Sequence, residues 1–177
     1  PKRKPIDDIE PPRQPAESPE AFKAGMAYLA GAVNIVTTDG PAGRAGLTAS
    51  AVCSVTAEPP TLLVCVNRSG SAADAFAGNS AVCVNTVGPA HKDLAMLFGG
   101  KTEMQSRFEA ASWRVAASGA PLLEGALVSF DCHVASRTLV GSHEVLFCEI
   151  VDVVTNPGTP ALVYQDRAFH TLGGDPA

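Results

Sequence analysis

Between Leu47 and Arg68 the chain reads LTASAVCSVTAEPPTLLVCVNR, and this stretch constrains the fold more than any other. Side chains on a strand alternate faces with period two. On one continuous strand, Leu47, Ala49, Ala51, Cys53 and Val55 share an apolar face. Thr48, Ser50, Ser54 and Thr56 share the other, broken only by Val52. One face packs on a core, and the other is a row of hydroxyls that both donate and accept hydrogen bonds. Glu58-Pro59-Pro60 ends the strand, because proline cannot donate to a ladder. A second strand over Thr61–Val66 is apolar on both faces and ends in Asn67-Arg68. Two readings stand here: a pocket for a polar, anionic small molecule, or hydroxyls that decorate a half-exposed strand.

The chain has 177 residues, enough for one domain with a real core. Apolar residues make up 46% of it, and no apolar run approaches the ~20 residues that span a bilayer. With no secretory leader visible, the expected location is the cytoplasm. A net charge of −5 gives no general drive toward nucleic acid. Cys53, Cys65, Cys83, Cys132 and Cys148 form no C-x-x-C pair and lie in apolar strand patterns, so buried free thiols are expected. Cys132 and His133 point to opposite faces of one strand, as do His143 and Cys148, so no metal site is expected.

Residues 1–18 are rich in proline and charge and are expected to form a disordered arm before a single domain over 19–177. Ser18-Pro19-Glu20 reads as a helix start, with Phe22, Met26 and Leu29 at helical spacing. Strands are predicted over 33–38, 81–87, 125–138, 143–154, 161–165 and 168–172, with a hinge at Val140-Gly141-Ser142. Helices are predicted from Ser71 and over 89–98, with an irregular loop over 99–112. Many strands and few short helices argue for a mainly β fold, a small barrel decorated by helices.

Asn67-Arg68-Ser69-Gly70-Ser71 joins a strand to a helix, and Ser71 with Asp74 fits a capping pattern. A helix N-terminus, Gly70 and the fork of Arg68 suit a phosphate, and they equally suit an ordinary capped helix. Gly99-Gly100-Lys101-Thr102 ends like a P-loop, but position 95 is Ala and the segment follows a helix, so it reads as a glycine loop with the character of a lid. No GxGxxG follows a strand and no G-x-S-x-G occurs. His143 opens a strand after a glycine turn and either meets a ligand or stays solvated.

Taken in order, Gly46–Val55, Pro59–Asn67, Val84-Asn85 and Gly141-Ser142-His143 resemble the short-chain flavin reductase family, the reductase components of two-component flavin monooxygenases. The likeness runs from about residue 20 to 172. Ala32–Ala45, Leu97–Thr102 and Leu127–Cys132 are similar to the subgroup of bacterial pyrimidine utilisation. The resemblance implies a flavin-binding split β-barrel and a homodimer with flavin near the subunit interface. It implies that NADH or NADPH reduces FMN or FAD, and that reduced flavin passes to a partner monooxygenase. It carries Thr48, Ala49, Ser50 and Ser54 onto the ring and ribityl contacts, and Asn67, Arg68 and Ser71 onto the phosphate end. Asn85 is placed near the ring and His143 on the nicotinamide side as the catalytic residue. Reduction of another acceptor, a corrinoid or a ferric complex, and flavin binding without turnover are the alternatives.

Overall fold

A computed structural model of the chain describes residues 18–173. The predicted arm, apart from Ser18, lies outside that span, as do residues 174–177. The first helix, α1 (Pro19–Ala27), starts as its sequence demands: the Ser18 Oγ accepts the Ala21 N–H at 3.1 Å and Pro19 takes the first turn. It buries none of its residues, however. Phe22 and Leu29 of the predicted apolar stripe are each 65% exposed.

Seven antiparallel strands form the main sheet, in the order β3 (Ala45–Ala49), β2 (Asn34–Thr38), β6 (Ala81–Thr86), β9 (Val128–Val140), β10 (His143–Thr155), β5 (Pro60–Asn67), β4 (Val52–Ala57). Valines, isoleucines and threonines supply the branched side chains that a pleated surface favours. Gly141, at φ +57°, makes the predicted turn between β9 and β10. Two smaller sheets flank the main one. β1 (Gly31–Ala32), β11 (Ala161–Gln165) and β12 (Ala168–Leu172) form the first, and the hairpin of β7 (Trp113–Val115) and β8 (Pro121–Leu123) forms the second.

Val36, Ala45, Val64, Val84, Leu146 and Cys148 belong to one buried cluster, although their strands span most of the sheet's width. The sheet therefore curls around that cluster, and α2 (Ala73–Gly78) plugs it with Phe76. The ladder does not close: the sheets are not closed into a barrel, and β3 and β4 remain as separate edges. The mainly β class with short helices stands. On the other side α3 (Lys92–Gly99) and α4 (Met104–Glu109) cover Ile35 and Leu123 with Leu94, Phe98 and Phe108. The helix α4 takes up part of the irregular segment expected over 99–112, and the β7–β8 hairpin follows that segment. Phe98, Phe108 and Trp113 hold them together with ring centroids 5.0 to 5.6 Å apart.

The stretch Leu47–Thr56 is not one strand. It breaks at Ser50-Ala51, where the chain leaves one edge of the sheet and enters the other. Leu47 and Ala49 pack on the central cluster, and beyond the break Val52 does so in place of Ala51 or Cys53. A slip of one residue exchanges faces, so Cys53 and Val55 turn outward. Cys53 is exposed for that reason and Cys65 is half-buried, whereas Cys83, Cys132 and Cys148 are the buried free thiols expected.

Candidate active site

The break between β3 and β4 leaves a cavity of about 340 Å³. As edge strands, both present main-chain groups that no ladder uses. Thr48, Ala49 and Ser50 form one wall. The Thr48 hydroxyl donates to the Ala95 carbonyl of α3 at 2.6 Å, which leaves its oxygen able to accept. Asn34, 3% exposed, steadies the same wall by donating from Nδ2 to the Ala49 carbonyl at 3.1 Å.

Strand pairing builds the second wall. β10 runs antiparallel to β5 with His143 directly opposite Asn67, so two residues 76 positions apart meet at the cavity (143 − 67). The Arg68 N–H donates to the Ser142 carbonyl at 3.0 Å and locks that register. Asn67 Oδ1 accepts from the Ser69 N–H at 3.0 Å and the Ser69 hydroxyl at 2.9 Å, an Asx turn that bends the chain toward Ser71. Ser142 Oγ and His143 Nδ1 lie 2.9 Å apart.

The capping pattern at Ser71 is not realised. Ala72 is the N-cap of α2, with no side-chain cap bond. The Ser71 Oγ instead accepts from Arg107 Nη2 at 3.2 Å. Phe98-Gly99-Gly100 form the third wall. Gly46 has to lack a side chain here, since a Cβ would stand 2.6 Å from Phe98 Cε1. The loop after Gly99 is not a loose lid, because Arg107 binds the carbonyls of Phe98, Gly100 and Thr102.

The cavity thus brings together Thr48, Ala49, Ser50, Asn67, Ser71 and His143. Three sequence candidates lie outside its lining. Ser54 sits exposed on β4 beyond the break, cross-strand from Leu62. Arg68 is exposed, one residue past Asn67. Asn85 is 0% exposed and faces the opposite side of the sheet. It donates to the Ile35 carbonyl and accepts from the Leu123 N–H and the Ser129 hydroxyl, so it welds β2, β8 and β9. Arg107 and Asn34 are the residues that sequence reasoning missed. Arg107 falls in the supposed irregular loop, and Asn34 carries no motif.

Among the described residues no carboxylate lines the cavity, although the protein as a whole is acidic. The lining offers hydroxyls, an amide, an imidazole and one guanidinium. Cys65, also in the lining, has its thiol pushed upward in pKa by burial first and by Cys53 second, so it stays neutral. No group of three or more potential metal-ligating side chains occurs among the described residues.

Residues 26–173 match the flavin reductase like domain, and the chain belongs to that family. The chain is 52% identical over 164 residues to the FMN reductase (NADH) RutF of Ancylobacter novellus, covering 93% of this chain and 91% of that protein. It is 55% identical over 153 residues to the protein of the same name from Stutzerimonas stutzeri, covering 86% and 88%. A crystal structure of a Haemophilus somnus 129pt protein assigned as a flavin reductase superposes with a TM-score of 0.85 at 43% identity, covering 88% of this chain and all of that one.

Proposed function

We propose that this protein is an NADH-dependent FMN reductase that supplies reduced flavin to a partner monooxygenase, in keeping with the pyrimidine-utilisation relatives it is similar to. One observation carries the reading: a cavity lined by hydroxyls, an amide and a buried cation, with no carboxylate from the described residues in its wall. That donor set fits a neutral polar ring with an anionic tail. Loose binding suits the task, because the product must leave, and the lining holds no covalent anchor.

When bound, a flavin would supply the acceptor for the nicotinamide's hydride. The chain's own residues bind and orient. The edge groups of Thr48–Ser50 meet the polar rim of the ring, where charge grows on reduction. Asn67 and Ser71 face the phosphate end, with Arg68 outside the lining at the rim and Ser54 farther along β4. His143, held beside Ser142, bounds the side open to the nicotinamide and fixes its approach. The fold is read as the family's split barrel, a reading that the curl of the main sheet around its central cluster supports. A homodimer is part of the proposal, and two exposed apolar surfaces suit it. Phe22 on α1 with Leu29 just beyond it makes one, and Leu139 and Val140 at the tip of the long hairpin make the other. Among the described residues no helix is long and apolar enough to cross a membrane.

The test is stopped-flow reduction of FMN by NADH under anaerobic conditions with the purified protein. The proposal expects saturable bleaching of the flavin that depends on NADH. FMN that binds but is not reduced by either nicotinamide refutes the reductase reading.

A further inference from the structure

Arg107 is the most deeply buried cation among the described residues, at 2% exposure. Its guanidinium spends all five donors inside the protein. Nε donates to the Thr102 carbonyl at 2.8 Å. Nη1 donates to the carbonyls of Phe98 at 3.3 Å and Gly46 at 3.4 Å. Nη2 donates to the Gly100 carbonyl at 3.1 Å and to the Ser71 Oγ at 3.2 Å. These partners belong to β3, the end of α3, the loop beyond it and the turn before α2, so one side chain ties three walls of the cavity together.

Every one of those partners is neutral. The ion pairs among the described residues are Arg44–Asp39 and Arg137–Glu144, and neither involves Arg107. A guanidinium is always charged, and burying a charge without a counter-ion is costly. The carbonyl dipoles satisfy its hydrogen bonds, but its net charge remains uncompensated at the cavity wall. Arg68, by contrast, is exposed, and solvent screens its charge.

Resting on the flavin reading above, we infer that Arg107 is the positioning residue that selects the phosphorylated form of the flavin. It acts through Ser71, whose oxygen it holds toward the cavity as a donor to the phosphate. Its own field supplies the counter-charge that the acidic protein otherwise lacks there. Arg68 adds little to this selection.

The experiment measures dissociation constants of FMN and riboflavin, by quenching of flavin fluorescence, for the wild type, Arg107→Gln, Arg107→Lys and Arg68→Ala. A purely structural role for Arg107 weakens both flavins alike. The inference expects the preference for FMN over riboflavin to fall by about tenfold or more in Arg107→Gln. Arg107→Lys keeps the charge and holds the preference within about threefold of wild type, while both affinities drop with the lost fork. Arg68→Ala likewise keeps the preference within about threefold, and this arm stands even if Arg107→Gln does not fold. An unchanged preference in folded Arg107→Gln overturns the inference and leaves the flavin reading intact. So does a preference that collapses in Arg68→Ala. A wild-type protein that binds neither flavin refutes the flavin reading itself, and the inference with it.

Discussion

Replacing Asn85 with alanine separates a structural role from a ligand-binding one. Asn85 is 0% exposed. Its Nδ2 donates to the Ile35 carbonyl at 3.0 Å, and its Oδ1 accepts from the Leu123 N–H at 2.9 Å and the Ser129 Oγ at 2.8 Å. Truncation leaves two donors and one acceptor buried without these partners. Each orphaned group costs roughly 1–3 kcal/mol, although the Ser129 hydroxyl can rotate toward another acceptor. The main-chain groups of Ile35 and Leu123 cannot move without breaking β2 and β8. The sum is about 3–5 kcal/mol once a small cavity is included. That is a large share of the ~5–15 kcal/mol that holds a domain together. Urea unfolding followed by tryptophan fluorescence reads it as a lower midpoint at similar slope, Trp113 being the single tryptophan. Below the transition, the FMN dissociation constant should stay within about twofold of wild type, since Asn85 does not line the cavity. Asn85→Asp retains the Oδ1 acceptor but sets a second oxygen against the Ile35 carbonyl, and it should be no better than alanine. A stability loss under about 1 kcal/mol together with lost FMN binding would refute the reasoning and return Asn85 to the ligand.

Gly46→Ala pushes the new Cβ into Phe98 at 2.6 Å and should cost about 1–3 kcal/mol. Adding Phe98→Leu should recover part of that loss, and strictly additive unfolding energies would show that the two positions do not clash. His143→Ala should raise the KM for NADH and lower kcat while FMN affinity holds, and wild-type kinetics would remove His143 from the site. Burial pushes the Cys83 and Cys148 thiols up to about 12, Asp131 adding to the effect at Cys83 and Arg137 opposing it at Cys148. Above about pH 9 the unfolded chain therefore loses protons that the folded protein keeps, and stability falls toward pH 12 by about 1.4 kcal/mol per thiol per pH unit; a urea midpoint that is flat from pH 8 to 10.5 would contradict this. Cys53, the exposed thiol, should react first with a thiol reagent, and a Cys53→Ser variant should lose that fast phase.

Local chemistry was enough to locate most of the elements. Ser18 and Pro19 start α1, Gly141 turns the long hairpin, and Pro59-Pro60 mark the end of one strand run and the start of the next, because caps, turns and proline act on their immediate neighbours. The motif string from Gly46 to Asn67, with Gly141-Ser142-His143, was likewise sufficient to point to the flavin reductase family. Side-chain direction beyond Ser50 was not legible. Alternation is a local property, but which edge of the sheet a strand joins is not, and the change of partner at Ser50-Ala51 shifted the phase by one residue. That shift took Ser54 out of the hydroxyl row and exposed Cys53. That Asn85 lies outside the cavity lining was not legible for a related reason: a polar residue in an apolar strand looks the same in sequence whether it faces a ligand or a neighbouring strand. Arg107 lay in what looked like an irregular loop, and nothing in its neighbours revealed that its guanidinium would reach Gly46 and Ser71, far along the chain, as well as three nearby carbonyls. The distant partners, like the meeting of His143 with Asn67, exist only after the sheet has curled, because hydrogen bonds and buried charges are settled by distance in space.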